Sequence, residues 1–210
     1  MKNIMIPVMA LSFLSFFACD ASVNRSRYVG DGEHSPGLTS VNGSIHVGAG
    51  CTMEGNCRTV NGRIEIGDNS RVEELDTVNG RIVIGANVEV DGDAGTVNGA
   101  IECGPGSKVR GRASTVNGRV ELRDAVVSDE VSTVNGDVLL SGKSVVRGRI
   151  VIKGRHGHFS HGRVLEIRVQ GGSIVEGGID VRDPERKVKV YIDKDSKVNG
   201  EIRNAEVIKE

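Results

Sequence analysis

The sequence predicts an all-β fold, a single-stranded triangular parallel β-solenoid with about 18–19 residues per coil. A four-residue motif recurs at nearly constant spacing, apolar residues recur every six positions, and the composition is rich in glycine and poor in aromatic residues. Such a self-similar period is typical of solenoids, in which each repeat buries its apolar face against its neighbours. Ser-Val-Asn-Gly at 40–43 returns as Thr-Val-Asn-Gly at 59–62, 77–80, 96–99, 115–118 and 133–136, at spacings of 19, 18, 19, 19 and 18 residues.

The apolar residues within one repeat predict three short faces. Val60, Ile66 and Val72 are six apart, and a second set follows each of them by four positions, beginning with Ile64. Two residues four apart that both point inward have the period of a β-strand, and a step of six indicates a corner. Three steps close one coil, with the valine before each Asn-Gly expected in the core. Because connections between parallel strands are right-handed in ~98% of cases, we expect a right-handed solenoid.

The Asn-Gly pair is expected at one corner of every coil, because both residues tolerate the backbone conformations of tight turns. Equivalent positions stack along a solenoid, so the asparagine side chains should hydrogen-bond to one another from coil to coil. The six residues of this ladder are Asn42, Asn61, Asn79, Asn98, Asn117 and Asn135.

Composition and charge exclude nucleic acid as a partner. The 210 residues contain 27 Lys and Arg against 28 Asp and Glu, no Trp, two Tyr and four Phe. A net charge of −1 gives no general attraction to a polyanion, and the aromatic platforms on which bases stack are missing. A core with so few aromatic residues must consist mainly of small aliphatic side chains, which suit the narrow interior of stacked coils.

The start of the chain indicates export. Residues 1–18 carry Lys2 and a short apolar run, as a signal peptide does. Ala18-Cys19 at its end is similar to a bacterial lipobox, in which the cysteine is acylated, and cleavage after Ala21 is the alternative. We expect residues 19–38 to be a polar tether and the protein to be membrane-anchored through Cys19, on the periplasmic or outer side of the envelope.

Residues 39–154 are expected to form the regular coils, and residues 155–210 an irregular continuation with a C-terminal cap. His156, His158 and His161 fall in a loop and are a candidate metal site for Zn or Cu; a solvated loop is the competing interpretation. Cys51 and Cys57 both point inward in the first coil, where they either form a disulfide or fill the core as thiols. We expect no catalytic residue and no cofactor.

Val-Asn-Gly-Arg-Ile-Glu-Ile-Gly (60–67) and Lys-Val-Arg-Gly-Arg (108–112) resemble the repeat of bactofilins. The resemblance covers roughly 40–152. It implies a right-handed triangular β-helix that polymerises end to end as a scaffold, although bactofilins lack an export signal.

Two other functions are compatible with the repeat. The aliphatic-Gly pairs Val47-Gly48 and Ile66-Gly67 are similar to the hexapeptide repeat of left-handed β-helix acyltransferases. The threonines before each Val-Asn-Gly could form an outward hydroxyl column, as on ice-binding or glycan-binding surfaces. We favour a non-catalytic envelope scaffold or binding surface, with self-association or an envelope component as its partner. Charged or covered ends favour a monomer over a filament.

Overall fold

The structure is a computed structural model that describes residues 21–154 and 163–210. These residues contain 29 short strands and no helix. The strands form three parallel sheets, which stack as a β-solenoid of about nine turns and confirm the predicted fold class. Each complete coil contributes one strand to each sheet, and every strand pairs in parallel with strands of the adjacent coils.

Sheet A contains the strand that precedes the Asn-Gly corner in each coil. The inward residues of its regular strands are small or aliphatic at one end and Ser or Thr at the other. Its strands are β1 (Ala21–Ser22), β4 (Leu38–Ser40), β7 (Cys57–Thr59), β10 (Leu75–Thr77), β13 (Ala94–Thr96), β16 (Ala113–Thr115), β19 (Val131–Thr133), β22 (Ile150–Ile152), β25 (Ile179–Val181) and β28 (Ile202–Arg203).

Sheet B follows the corner and contains most of the large aliphatic core residues. Two inward residues flank one outward residue in most of its strands, as the alternation of a β-strand requires. Its strands are β2 (Arg27–Val29), β5 (Ile45–Val47), β8 (Ile64–Ile66), β11 (Ile82–Ile84), β14 (Ile101–Cys103), β17 (Val120–Arg123), β20 (Val138–Ser141), β23 (Leu165–Val169), β26 (Val188–Ile192) and β29 (Glu206–Lys209).

Sheet C closes the triangle with strands of two residues. One residue of each pair points outward and the other points inward. Its strands are β3 (His34–Ser35), β6 (Thr52–Met53), β9 (Arg71–Val72), β12 (Glu89–Val90), β15 (Lys108–Val109), β18 (Val126–Val127), β21 (Val145–Val146), β24 (Ile174–Val175) and β27 (Lys197–Val198).

The core differs from the prediction at one of its columns. Thr59 and its equivalents are buried, whereas Val60 and its equivalents are only half-buried. Inward residues are two apart on each strand, so the residues four apart, such as Val60 and Ile64, flank a corner instead of sharing a strand. The prediction that the valine column is core and the threonine column points outward is therefore wrong. The threonines replace valine inside because their hydroxyl groups find hydrogen-bond acceptors there.

Continued through all repeats, the predicted spacing places the polar residues Asp76 and Ser128 at inward positions, and the 18-residue coils that contain them avoid this. In one of them, β9 and β10 are joined by only two residues, so Leu75 and Thr77 take the inward positions and Asp76 points outward. In the other, the connection between β17 and β18 is shortened, and Val127 is buried in place of Ser128. Asp124 takes a φ of 47° at that tight connection.

The two ends of the solenoid are chemically different. At the N-terminal end, Arg27 lies beside Ile45 and Ser35 beside Met53, so polar residues occupy inward positions. At the C-terminal end, the inward positions are aliphatic, with Ile202 beside Ile179 and Val207 beside Val190. Val207 is 43% exposed because no further described coil covers it.

Candidate functional site

The Asn-Gly corner is held by hydrogen bonds from buried threonines. The hydroxyl group of Thr96 donates to the carbonyl oxygen of Gly80 in the preceding coil at 2.9 Å, and Thr115 donates to Gly99 at the same distance. The glycine is required by close packing, since a Cβ atom on Gly99 would overlap the carbonyl oxygen of Gly80. The corner therefore uses its threonine and its glycine to join adjacent coils.

The asparagines of the corner form a continuous chain of side-chain hydrogen bonds. In each step the Nδ2 atom of one asparagine donates to the Oδ1 atom of the asparagine one coil earlier, at 2.7–2.9 Å. The chain begins at Asn24, which the sequence pattern does not identify. Its members are Asn24, Asn42, Asn61, Asn79, Asn98, Asn117 and Asn135.

Beyond Asn135 the corner between sheets A and B changes. In regular coils it has four residues, as between β13 and β14, but six residues (182–187) join β25 to β26, and two (204–205) join β28 to β29. Arg186 takes over at the end of the asparagine chain, where its Nη2 atom donates to Asn135 Oδ1 at 3.4 Å. The long and short corners thus succeed each other on the same edge of the solenoid.

A cavity of about 550 Å³ lies at this irregular corner and opens to the surface. A volume of this size is typical of sites for small organic molecules. Its lining combines three cationic side chains with aliphatic ones, one amide and one carboxylate. The lining residues are Val164, Pro184, Arg186, Lys187, Val188, Lys189, Asn204, Ala205 and Glu206.

The charges around the cavity are unequally compensated. Lys189 Nζ lies 3.9 Å from Glu206 Oε2, which pairs the one carboxylate of the lining. Arg186 forms no ion pair with any described carboxylate, and its buried Nε atom has no hydrogen-bond partner in residues 21–154 or 163–210. On the regular coils, by contrast, arginines such as Arg71 and Arg112 contact carboxylates at 2.6–3.4 Å. The lining of the cavity therefore carries three positive charges and one negative charge, while Asp183 and Glu185 lie in the same connection between β25 and β26 without lining it.

A second group of side chains lies on sheet B near the N-terminal end. The Tyr28 ring stacks on His46, with 4.9 Å between ring centroids, and His46 Nδ1 lies 2.6 Å from Glu65 Oε2. Arg63 also contacts Glu65, at 2.5 Å. Hydrogen bonding from Arg63, opposed by burial and assisted by His46, lowers the pKa of Glu65. The tyrosine is largely exposed, and the group joins three successive coils.

Asp76 is the most perturbed carboxyl group among the described residues. Burial, followed by repulsion from Glu74, raises its pKa to about 6, although the Nε atom of Arg58 donates to it at 3.1 Å. Arg58 also contacts Glu74 at 2.7 Å, so one guanidinium serves two carboxylates. Gly95 follows Asp76 on sheet A and offers it no side-chain partner.

Cys51 and Cys57, for which a disulfide and two core thiols were the alternatives, are separate buried thiols in the structure. The Sγ atom of Cys51 donates to the carbonyl oxygen of Gly30 at 3.0 Å. Burial raises the pKa of Cys57 to about 12, against a smaller lowering by the backbone of Leu38, and burial alone raises that of Cys103 to about 12. The structure therefore has thiols, and no disulfide, at 51 and 57. Buried thiols with a raised pKa, as at Cys57 and Cys103, are poor nucleophiles.

The remaining predicted site residues lie outside the described residues. These are Cys19 and the three histidines His156, His158 and His161. Within residues 21–154 and 163–210 no three His, Cys, Asp or Glu side chains are grouped closely enough to hold a metal ion. The same residues include no helix with the length and apolar character needed to cross a bilayer.

A comparison with protein-family models, with curated proteins and with solved structures finds no match to this chain. The sequence predicted an irregular continuation over residues 155–210, but it did not predict the cavity, because Asn135 and Arg186 are far apart in the chain. The sequence signal for the irregular region is the loss of the Thr-Val-Asn-Gly motif after 133–136.

Proposed function

We propose that the chain is an exported, non-catalytic β-solenoid that serves as a scaffold or binding surface at the bacterial envelope. One observation carries the proposal: the polar residues that recur in the regular coils bond to the neighbouring coil. The threonine hydroxyl groups donate to glycine carbonyls, and the asparagine amides bond to one another. A rod that must keep its shape needs such bonds, since each coil is stabilised only by its neighbours.

The outer surface supports the same role. Charged side chains of opposite sign face each other between some neighbouring coils: Arg71 of sheet C lies beside Glu89 and Asp91, and Arg112 lies beside Asp93 at the corner between sheets C and A. Exposed pairs of this kind contribute little energy individually, about 0–1 kcal/mol, but they keep the surface hydrated. A stiff, hydrated rod with a lipid on Cys19 would present its faces at a fixed distance from a membrane.

The anchor is tested by replacing the acceptor of the lipid. Cys19→Ser should abolish metabolic labelling with palmitate and move the protein from the membrane to the soluble periplasmic or extracellular fraction. Cys51→Ser is the matched control, because Cys51 is buried and should leave labelling unchanged. A wild-type protein that takes up no palmitate would instead indicate ordinary signal cleavage and a soluble exported rod.

Electron microscopy of the purified mature chain tests the scaffold itself. Single rods or end-to-end filaments support it, whereas compact trimers would contradict it and favour the acyltransferase alternative.

A further inference from the structure

The irregular corner supplies a binding site that the scaffold role does not use. We propose that the cavity beside Arg186 binds an organic acid, that is, a single carboxylate attached to a small apolar body. The inference does not depend on export or on the lipid anchor, because it rests only on Asn135 and on side chains of residues 164–206.

The carboxylate is inferred from the missing partner of Arg186. The guanidinium is half-buried, has one long hydrogen bond, to Asn135 at 3.4 Å, and has no described counter-charge. The buried Nε atom has almost no surface of its own, so a ligand in the open cavity would meet the terminal Nη groups, whose N–H donors match the two oxygens of a carboxylate. Lys187 lines the same cavity and adds a second positive charge.

The apolar body is inferred from the rest of the lining. Val164, Pro184, Val188 and Ala205 place hydrocarbon groups around the space, which suits a small organic molecule better than a fully hydrated ion. Glu206 also lines the cavity and would repel a second negative charge. Inorganic phosphate, which carries up to two charges and no apolar surface, therefore fits less well than a monocarboxylate.

The cavity lies where the sequence departs from the regular repeat. In the regular coils the four-residue corners pack directly on one another and are linked by the asparagine chain. The connection between β25 and β26 has two additional residues, the corner between β28 and β29 is shortened, and residues of both line the cavity. Arg186 and Pro184 belong to the additional stretch, so the same departure from the repeat opens the space and supplies its charge.

The experiment uses the full chain labelled with ¹⁵N, with benzoate as the probe and benzamide as its neutral counterpart. A buried arginine Nε–H gives a resolved NMR signal, and the signal of Arg186 should shift saturably with benzoate. Binding of benzamide and of inorganic phosphate should be at least about tenfold weaker, since a charge-assisted hydrogen bond is worth roughly that factor or more. Equal binding of benzamide would overturn the role of charge, and equal binding of phosphate would overturn the apolar body.

Two variants test the location, and one serves as a control. Arg186→Gln should weaken benzoate binding at least about tenfold, followed through the backbone amides of Lys187 and Ala205. Ala205→Phe keeps the charge but fills the space, and it should weaken binding comparably. Arg147→Gln removes an exposed arginine that does not line the cavity, and it should bind benzoate as the wild type does. Unchanged binding in both cavity variants, or no saturable shift in the wild type, would overturn the proposal.

Discussion

Asp76 illustrates how the environment of one side chain follows from the length of one coil. The 18-residue coil moves it from a predicted inward position to the outer side of sheet A, between Arg58 and the glycine at 95. It is still largely covered there, and Glu74 adds a like charge nearby. The energetic result is a carboxyl group whose ionised form is unfavourable in the folded protein.

Asp76→Asn should change how stability depends on pH. The folded pKa, about 6, lies above the ordinary value of 3.8, so the folded state binds the proton more tightly. Asp76 therefore stabilises the fold as the pH falls from about 6 to 4, and this contribution is lost as the pH rises through the folded pKa. Urea unfolding of wild type and variant between pH 4 and 7.5 should show a difference that changes by roughly 1–3 kcal/mol across this window. Parallel curves would show that Asp76 has an ordinary pKa.

At the scale of the strand and its corner, hydrogen bonding decides which side chain is buried. Hydrophobicity alone favours valine over threonine for the core. The sequence pattern therefore predicted the valine as the inward residue, although the threonine one position earlier is the buried one. The threonine is buried because the carbonyl oxygen of a glycine one coil earlier lies within 2.8–3.3 Å of its hydroxyl group. That acceptor belongs to another repeat, so no local pattern could indicate it.

Thr96→Val tests this bond with little change in side-chain shape. We expect a loss of about 1–2 kcal/mol in the free energy of unfolding, because the buried hydrogen bond to Gly80 disappears. Thr52→Val is the matched control, since Thr52 is half-buried on the outer side of sheet C, and it should change stability by less than about 0.5 kcal/mol. Equal losses in the two variants, measured by urea unfolding, would contradict the assigned role of the inward hydroxyl group.

The fold was predictable because its signal is periodic, whereas the cavity depends on residues that break the period. Val60, Ile64 and Ile66 are spaced as their equivalents in other coils are, so the three faces and the stacked corners follow from the sequence. Arg186 has no equivalent in the repeat, and its partner Asn135 lies 51 residues earlier in the chain. Only the structure places the two together.

For the whole molecule, the end strands decide whether a second copy can continue the sheets. Open strand edges can pair with another chain, and charges on those strands oppose it. Each C-terminal edge strand carries a charge: Lys197 in β27, Arg203 in β28, and Glu206 and Lys209 in β29. The strands β20, β21 and β22, which lie two or three coils earlier, contain no charged residue.

Truncation after Lys153 should therefore cause self-association. It exposes the uncharged edges of β20, β21 and β22, whereas the full chain keeps its charged ones. Light scattering at high protein concentration should show a monomer for the full chain and larger species for the truncated one. A truncated chain that stays monomeric would show that the charged strands are not what keeps the rod from extending.

The coil-to-coil bonds of the corner also determine how such a gene can change in length. Each threonine bonds to the coil before it and each inner asparagine to the coils on both sides, and the 18-residue coils show that a connection can lose a residue while all three sheets stay paired. A tandem duplication of one coil's coding sequence would therefore insert a rung that finds matching partners on both sides. Rods of different lengths could evolve from this sequence by duplication alone, and each would keep the irregular C-terminal corner unchanged.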